Sequence, residues 1–468
     1  MKLFKQKRIP VWLMLWVLTL AHGYAQTTER TFNTLSPYSL SAIGELESDG
    51  FVRNEAKMGL GLSRFSLNHY SLLNPATLGF VNKTVFDFGL RYDRVTLNQG
   101  ENYNDQDNGN FNYLALAFNL YNNEKVSKAD TSKETGRITG KNKTTNRFNW
   151  SAGFSLSPYS SIGSQFFSEL DTLGLNALVQ NQNSGGLTRV ATQTGMRFGE
   201  FVSVGYSFGF VWGDNDRGRR IFLPDTQGAI NLTESNRQRY RSFNHNLGVG
   251  IHIPFTDLTS LNFAGSYQPG FTLQTIGNRM VLALDRRTPG TQFLDTILVG
   301  EEQSFELDVP ERLSFGASFL IKHRIMIGAD YHMQNWSQAS LWNQNLTDYN
   351  KWVIGVTINP ETKATRSMRK PEIYFGYSQS SLHASYRNLN GNLMPIQENG
   401  ISFGIGLPVV RDVFGKDGKR ERITSMIHLS AQYVQRGGDL EGLINEDLFR
   451  VGMALSLTDI WFVKRKYR

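Results

Sequence analysis

Asp87, Arg91, Asp93, Asp330 and Arg450 are charges set into segments that alternate polar or small side chains with apolar ones. Facing inward from such a segment, a charge can pair with a neighbour, gate a passage or hold a ligand carboxylate. Facing lipid, an Arg or Lys would cost ~2–4 kcal/mol at mid-membrane. All five share a face with small or polar residues, so they are read as inward charges that pair with one another or with whatever the interior holds. No catalytic or metal set accompanies them. The eight histidines (His22, His69, His245, His252, His323, His332, His383 and His428) show neither HExxH nor paired-ligand spacing. His252 and His428 fall on inward strand faces, where polar neighbours satisfy them. A P-loop motif is absent. A serine nucleophile needs a base beside it, and nothing in the spacing brings Ser and His together. With no cysteine in the chain, disulfides and thiolate metal sites are excluded. The expectation is a protein that is not an enzyme and uses no cofactor or metal.

The elements that carry these charges show two-residue alternation along nearly the whole chain. Val202, Val204, Tyr206, Phe208, Phe210 and Trp212 fall on one face, and Ser203, Gly205, Ser207 and Gly209 on the other. Phe86, Phe88, Leu90 and Tyr92 alternate with Asp87, Gly89, Arg91 and Asp93; Phe449, Val451, Met453, Leu455 and Leu457 alternate with Arg450, Gly452, Ala454 and Ser456. Successive strand side chains point to opposite faces, so each segment has a lipid-compatible side and a polar side. Segments of about ten residues with this pattern mark membrane barrels; strands of soluble sandwiches are commonly ~5–6 residues. Fourteen strands are expected: 84–95, 111–121, 148–157, 189–199, 201–213, 242–254, 258–268, 311–322, 324–336, 351–358, 371–379, 400–410, 425–435 and 448–458, with 382–389 as a further candidate. The fold class is all-β, a transmembrane antiparallel β-barrel of about fourteen strands with an N-terminal plug segment. Tight links (Glu200, Thr256–Asp257, His323) alternate with long polar ones (158–188, 214–241, 269–310). Membrane barrels have short periplasmic turns and longer outer loops, which puts both ends of the mature chain in the periplasm. The long link from Asn122 to Arg147 breaks that pattern. Phe166, Phe167, Leu170, Leu173, Leu175 and Leu178 recur at near-helical spacing, as a short capping helix or a ligand lid would.

The chain begins as exported proteins do. Lys2, Lys5, Lys7 and Arg8 precede an uncharged apolar run from Ile9 to Ala21, and Gly23-Tyr24-Ala25 supplies small residues before Gln26. This layout reads as a secretory leader cleaved after Ala25; the run is shorter than the ~20 residues a spanning helix needs. No cysteine follows it, so a lipoprotein anchor is excluded. Loss of the four leader cations, with no acid, lowers the formal charge from +8 to +4, which does not argue for nucleic acid. The tail Lys464-Arg465-Lys466-Tyr467-Arg468 reads as a solvated basic end. Mean hydropathy is −0.35, and no mature stretch reaches 18 apolar residues, so a helical membrane protein is excluded and a barrel is not. The organisation expected is leader 1–25, plug segment 26–83, and barrel 84–468 ending in the basic tail. Inward glycines (Gly89, Gly205, Gly209, Gly248, Gly316, Gly328, Gly404 and Gly452 among them) leave room inside, most simply for residues 26–83.

Asn74-Pro75-Ala76, shortly before the first strand, resembles the NPA motif of the FadL-type outer-membrane transporters. A second match runs from Val309-Pro310 through Leu313-Ser314-Phe315-Gly316-Ala317-Ser318-Phe319 and Ile327-Gly328-Ala329-Asp330-Tyr331 to Asn335-Trp336-Ser337. The end, Glu446 to Tyr467, is similar to FadL-like barrels of Bacteroidetes. The long 122–147 segment and the basic tail depart from the family pattern. The resemblance implies a monomeric barrel in the outer membrane of a Gram-negative bacterium, in contact with outer-membrane lipid. It implies uptake of a hydrophobic small molecule of the long-chain fatty acid or hydrocarbon class. A site among the outer loops, a plug that shifts and passage through the wall would serve that uptake. The alternative it carries is a barrel that binds a periplasmic protein partner in secretion or surface assembly. A water-filled porin is a third reading, disfavoured by the plug-length N-terminal segment.

Overall fold

The computed structural model describes residues 34–47, 50–100, 102–127, 143–172, 175–222, 231–256, 258–284, 293–322, 324–339, 345–359, 370–414, 420–438 and 443–459. Residues 1–33, which include the expected leader, the middle of the 122–147 link and the basic tail lie outside them. A two-residue strand, β1 (Glu45–Leu46), precedes the wall strands β2 (Thr84–Gln99), β3 (Asn102–Ser127), β4 (Lys143–Thr172), β5 (Leu175–Phe198), β6 (Val202–Phe222) and β7 (Asn231–Thr256). The wall continues with β8 (Thr259–Gln268), β9 (Phe271–Leu284), β10 (Phe293–Val299), β11 (Gln303–Val309), β12 (Arg312–Ile321), β13 (Ile325–Gln334) and β14 (Tyr349–Ile358). It ends with β15 (Glu372–Arg387), β16 (Leu393–Phe414), β17 (Arg420–Gly437) and β18 (Asn445–Asp459).

Five of these segments are two interrupted crossings. β8 and β9 pair with successive stretches of β7, and β12 and β11 run back along them, with β10 beyond. The breaks fall at Pro269-Gly270, at 300–302 and at Pro310-Glu311; at the first and last, proline removes a ladder donor. With β1 set aside, the remaining seventeen segments make fourteen crossings, each antiparallel to the next. β18 pairs with β2 from Asn445↔Asn98 to Asp459↔Thr84 and closes the barrel. The apolar face of the alternation lies outside: Phe208, Leu247, Val249, Phe315, Ile354, Phe403 and Met453 are all exposed, as a lipid belt requires. No described helix is long and apolar enough to cross a membrane.

Each expected strand has its counterpart, but three expected loops are not loops. Residues 158–188, 214–241 and 269–310 are largely paired ribbons, with β4–β5 in register out to Thr172↔Leu175. Beyond the exposed apolar belt no lipid meets either face of a strand, so the alternation that marks the strands within the belt disappears. Phe166, Phe167, Leu170, Leu175 and Leu178 are strand residues, and the capping helix does not form. A short isolated helix is marginal in water, whereas here a neighbouring strand offers a partner along the whole stretch. Residues 382–387 extend β15 instead of adding a strand. The 122–147 link is shortened from both sides, by β3 to Ser127 and by β4 from Lys143.

Residues 34–83 pack against the inward faces. Two of their short helices share one device, an oxygen-bearing residue followed by proline. The Ser36 hydroxyl accepts from Tyr38 N ahead of the 3-10 turn Pro37–Leu40, and the Asn74 amide oxygen accepts from Ala76 N ahead of Pro75–Phe80. Proline suits the first helical position because its missing N–H had no partner to lose. Between them a helical turn, Val52–Glu55, is wholly buried. The segment enters near the β17–β18 connection: Ser36 Oγ donates to Glu446, Tyr38 OH donates to the Ile444 carbonyl, and Leu35 packs with Val95 and Leu448. It leaves at the other end, where Asn149 and Ser151 donate to the Val81 carbonyl just before β2.

Candidate functional site

The interface between this inner segment and the wall is the most elaborated part of the molecule. Asn74-Pro75-Ala76 lies on three wall glycines that neighbour one another across β5, β6 and β7: Gly195 pairs with Gly205, and Gly205 with Gly248. A Cβ on Gly205 would come within 2.2 Å of the Pro75 carbonyl carbon, and one on Gly248 within 2.1 Å of Asn74 Oδ1. Only a residue without a side chain lets the backbones approach so closely. Asn74 uses all its polar capacity here, its amide donating to the carbonyls of Leu62 and Val249, each at 3.1 Å. A second glycine row, Gly328↔Gly355↔Gly376 across β13, β14 and β15, lies under Lys57 and Leu60.

The five inward charges divide into two groups. Arg91 grips Glu47 of the inner segment through both Nη atoms (2.5 and 2.9 Å), and Asp330 accepts from the amides of Gly61 and Leu62 at 2.8 and 3.0 Å. Asp93 stays within the wall, between Arg91 Nε at 3.1 Å and Arg450 Nε at 2.7 Å. Asp87 accepts from Tyr113 and Ser456, and the Tyr113 oxygen in turn accepts from Val52 N at 3.3 Å.

Sequence reasoning missed two further anchors. Arg53 pairs with Glu372 at 2.7 and 2.8 Å, with Tyr374 OH donating to the same carboxylate. Arg436 joins Glu45 of the inner segment to Glu398 at 2.6 Å and Glu446 at 3.5 Å on the wall. Glu372 shares a face with Gly376 and Ser378, so strand parity could have marked it. Arg436 and Glu446 fall just beyond the apolar stretches that set the expected strand ends. Burial of Glu47 disfavours its charge, yet the Arg91 guanidinium beside it holds the carboxyl well below the ordinary range. Glu55, wholly buried with Asn112 as hydrogen-bond donor, is raised by that burial. Burial, helped by the nearby Arg53 charge, lowers the Lys57 ammonium from 10.5 to about 7.

Above the second glycine row a cavity of about 110 Å³ remains, bordered by Glu47, Glu55, Met58, Lys351, His383 and Arg436 among others. On its outer side Ala42 and Ile43 join Trp336, Leu346, Leu307 and Tyr240 in an apolar cluster that roofs the interior. Among the described residues no group of three His, Asp or Glu side chains could hold a metal. His428 instead faces Tyr374 OH at 3.2 Å, and His252 faces Asn262 at 2.6 Å. The arrangement is suited to holding a polypeptide in place.

Comparison with known proteins places this geometry. A family model described as BamG matches residues 6–128 and 144–468. Comparison with curated protein sequences returns no match. Among solved structures, the P. putida toluene transporter TodX is 13% identical with a TM-score of 0.52, covering 89% of this chain and 99% of its own. The Ralstonia pickettii toluene transporter TbuX is 14% identical with a TM-score of 0.52, covering 88% and 99%. A Pseudomonas aeruginosa FadL homologue is 12% identical with a TM-score of 0.52, covering 89% and 98%. Identities this low speak to the fold alone; the match of the family model over almost the whole chain goes further, and the chain belongs to the BamG family, built on the FadL-type outer-membrane barrel.

Proposed function

We propose that this barrel passes hydrophobic small molecules across the outer membrane, with residues 26–83 as plug and gate. Support comes from the architecture it shares with two toluene transporters. It comes also from an interior filled by a segment held through a few discrete polar anchors, which could be released together. A space of about 110 Å³ is of the order that takes a single aromatic ring, so the reading favours a toluene-sized hydrocarbon over a long-chain fatty acid. In this reading the protein is a monomer that does no chemistry on its cargo. Its tight turns and carboxyl end face the periplasm. Uptake of labelled toluene and labelled palmitate by a deletion strain tests it; rates unchanged for both compounds would sink the proposal.

A second reading is favoured by a specific observation. Every crossing is hydrogen-bonded to the next, and charged side chains including Glu45, Glu47, Lys351, Glu398 and Arg436 border the cavity, a poor path for an apolar molecule. A permanently filled barrel serves equally as a partner-binding component of a secretion or surface-assembly system. Solubilisation in mild detergent separates the two. A stable complex with a periplasmic or membrane protein favours the second, and a lone barrel retaining hydrocarbon favours the first.

A further inference from the structure

We infer that the open edge formed by β10 and β11 receives an extended, basic segment of another polypeptide as an added strand. This deepens the partner-binding reading, on which it rests, by giving the partner's chemistry. Among the described residues β10 and β11 pair with β9 alone. Their other side presents a row of backbone N–H and C=O groups with no neighbouring strand. Proteins usually blunt such an edge with lysine, proline, a bulge or a covering element. Two register shifts bend β10 against β9, but β11 keeps unbroken register with it from Gln303↔Gly277 to Val309↔Phe271. Leu307 and Val309 are buried in the apolar roof, which holds the lower end of β11 in place.

The stretch Thr296 to Val299 has neither charge nor proline, and Ile297, Leu298 and Val299 are 57%, 43% and 60% exposed. Successive strand side chains point to opposite faces, so neither face of β10 is covered there. Met280, paired with Val299 across the ribbon, is exposed too. Lipid does not account for this apolar patch. Glu306, Asp308 and Glu311 are exposed, which already places them beyond the belt. Val299 lies nine positions past Asp308, about 30 Å further along the strand.

Charge sets the class of partner. From Phe293 to Val309 there are five acids, Asp295, Glu301, Glu302, Glu306 and Asp308, and no Lys, Arg or His. Among the described residues only Glu302 of these has an ion pair, with Arg239 at 2.8 Å. Cross-strand neighbours of opposite charge attract and like charges repel. A second copy of this edge would set acid against acid, so self-pairing is disfavoured. The fit is a strand-adding segment that alternates apolar residues with Lys or Arg.

The test uses the purified full-length barrel in detergent and three synthetic peptides of equal length. One alternates valine with lysine, one valine with glutamate, and the third is the lysine peptide N-methylated at every second amide. Deuterium exchange across 296–308 is expected to slow at least tenfold with the lysine peptide and to stay unchanged with the other two. The double variant Ile297→Lys, Glu301→Lys should lose at least tenfold in affinity for the lysine peptide by fluorescence anisotropy. Its gel shift between boiled and unboiled samples should persist, showing that the barrel still folds. No protection by the lysine peptide, equal protection by the glutamate peptide, or protection confined to 164–172 would overturn the proposal. So would slowed exchange at 296–299 when the peptide-free barrel moves from detergent into lipid vesicles, since the patch would then be a lipid contact. A native complex that survives the double variant would overturn the edge and leave the partner-binding reading standing. Failure of that reading looks different: a lone barrel in mild detergent, whichever residues the edge carries.

Discussion

At the scale of single residues the molecule depends on what is missing as much as on what is present. Gly205 carries no Cβ because the Pro75–Ala76 backbone occupies that space, and Gly248 none because the Asn74 side chain does. Overpacking a filled interior costs about 1–3 kcal/mol, occasionally more, and here the obstacle is backbone, which cannot rotate away. Gly205→Val should therefore lower the midpoint of urea unfolding in detergent and reduce the folded fraction seen as gel-shifted barrel, while Gly109→Val, with nothing within 4 Å of its Cβ, should do neither. Arg53→Ala removes the closest cation from buried Glu372, leaving it the Tyr374 hydroxyl and the longer Arg64 contact at 3.5 Å. Loss of one partner of a buried pair costs on the order of 3–5 kcal/mol, measurable in the same unfolding series. Lys57 predicts a pH dependence. Its folded pKa of about 7 lies below the ordinary 10.5, so its charge opposes folding fully below pH 7. That opposition fades from pH 7 to 10.5 and is absent above. Wild-type stability should rise across that window by a few kcal/mol relative to Lys57→Met; parallel curves would refute the assignment. The motif Asn74-Pro75-Ala76 and the inward glycines were legible in the sequence, but their pairing was not. Contacts such as Arg53–Glu372, 319 positions apart, leave no local pattern to read.

At the scale of elements, alternation located every crossing because lipid on one side and a polar interior on the other impose opposite demands on neighbouring residues. Where that contrast ends, legibility ends with it. The outer parts of β4, β5, β6 and β7 carry Ser, Asn, Gln, Asp and Arg on both faces, which resembles loop composition although every residue from Ser160 to Thr172 has a partner on β5. The hydrophobic spacing between Phe166 and Leu178 suggested a helix because strand pairing depends on a neighbour that local periodicity cannot reveal. These ribbons give a prediction of their own. Beyond Gly163, β4 pairs on one side only among the described residues, whereas Leu114 to Ala117 of β3 are paired on both. Backbone amides of 164–172 should exchange with deuterium at least tenfold faster than those of 114–117 in the detergent-solubilised barrel; equal rates would mean that something further covers that edge.

The whole molecule is a lipid-facing cylinder around a polar, peptide-filled centre, and its two surfaces should answer mutation differently. Phe403 and Val451 lie in the exposed belt, where Arg at mid-membrane costs ~2–4 kcal/mol. Phe403→Arg should reduce the yield of folded barrel in lipid vesicles far more than Gln397→Arg near the strand's outer end, and the gap should shrink in detergent micelles. The filled centre bears on the whole cell. The wall that surrounds residues 34–83 carries Arg91, Arg436, Arg450, Asp330 and Glu372, all of which a vacated interior would hand over to water. A barrel of fourteen strands made without that stretch would be a wide, salt-conducting hole. Bacteria producing it should become sensitive to vancomycin and other bulky antibiotics that an intact envelope keeps out, so the permeability of the envelope would hang on some fifty residues that never touch lipid.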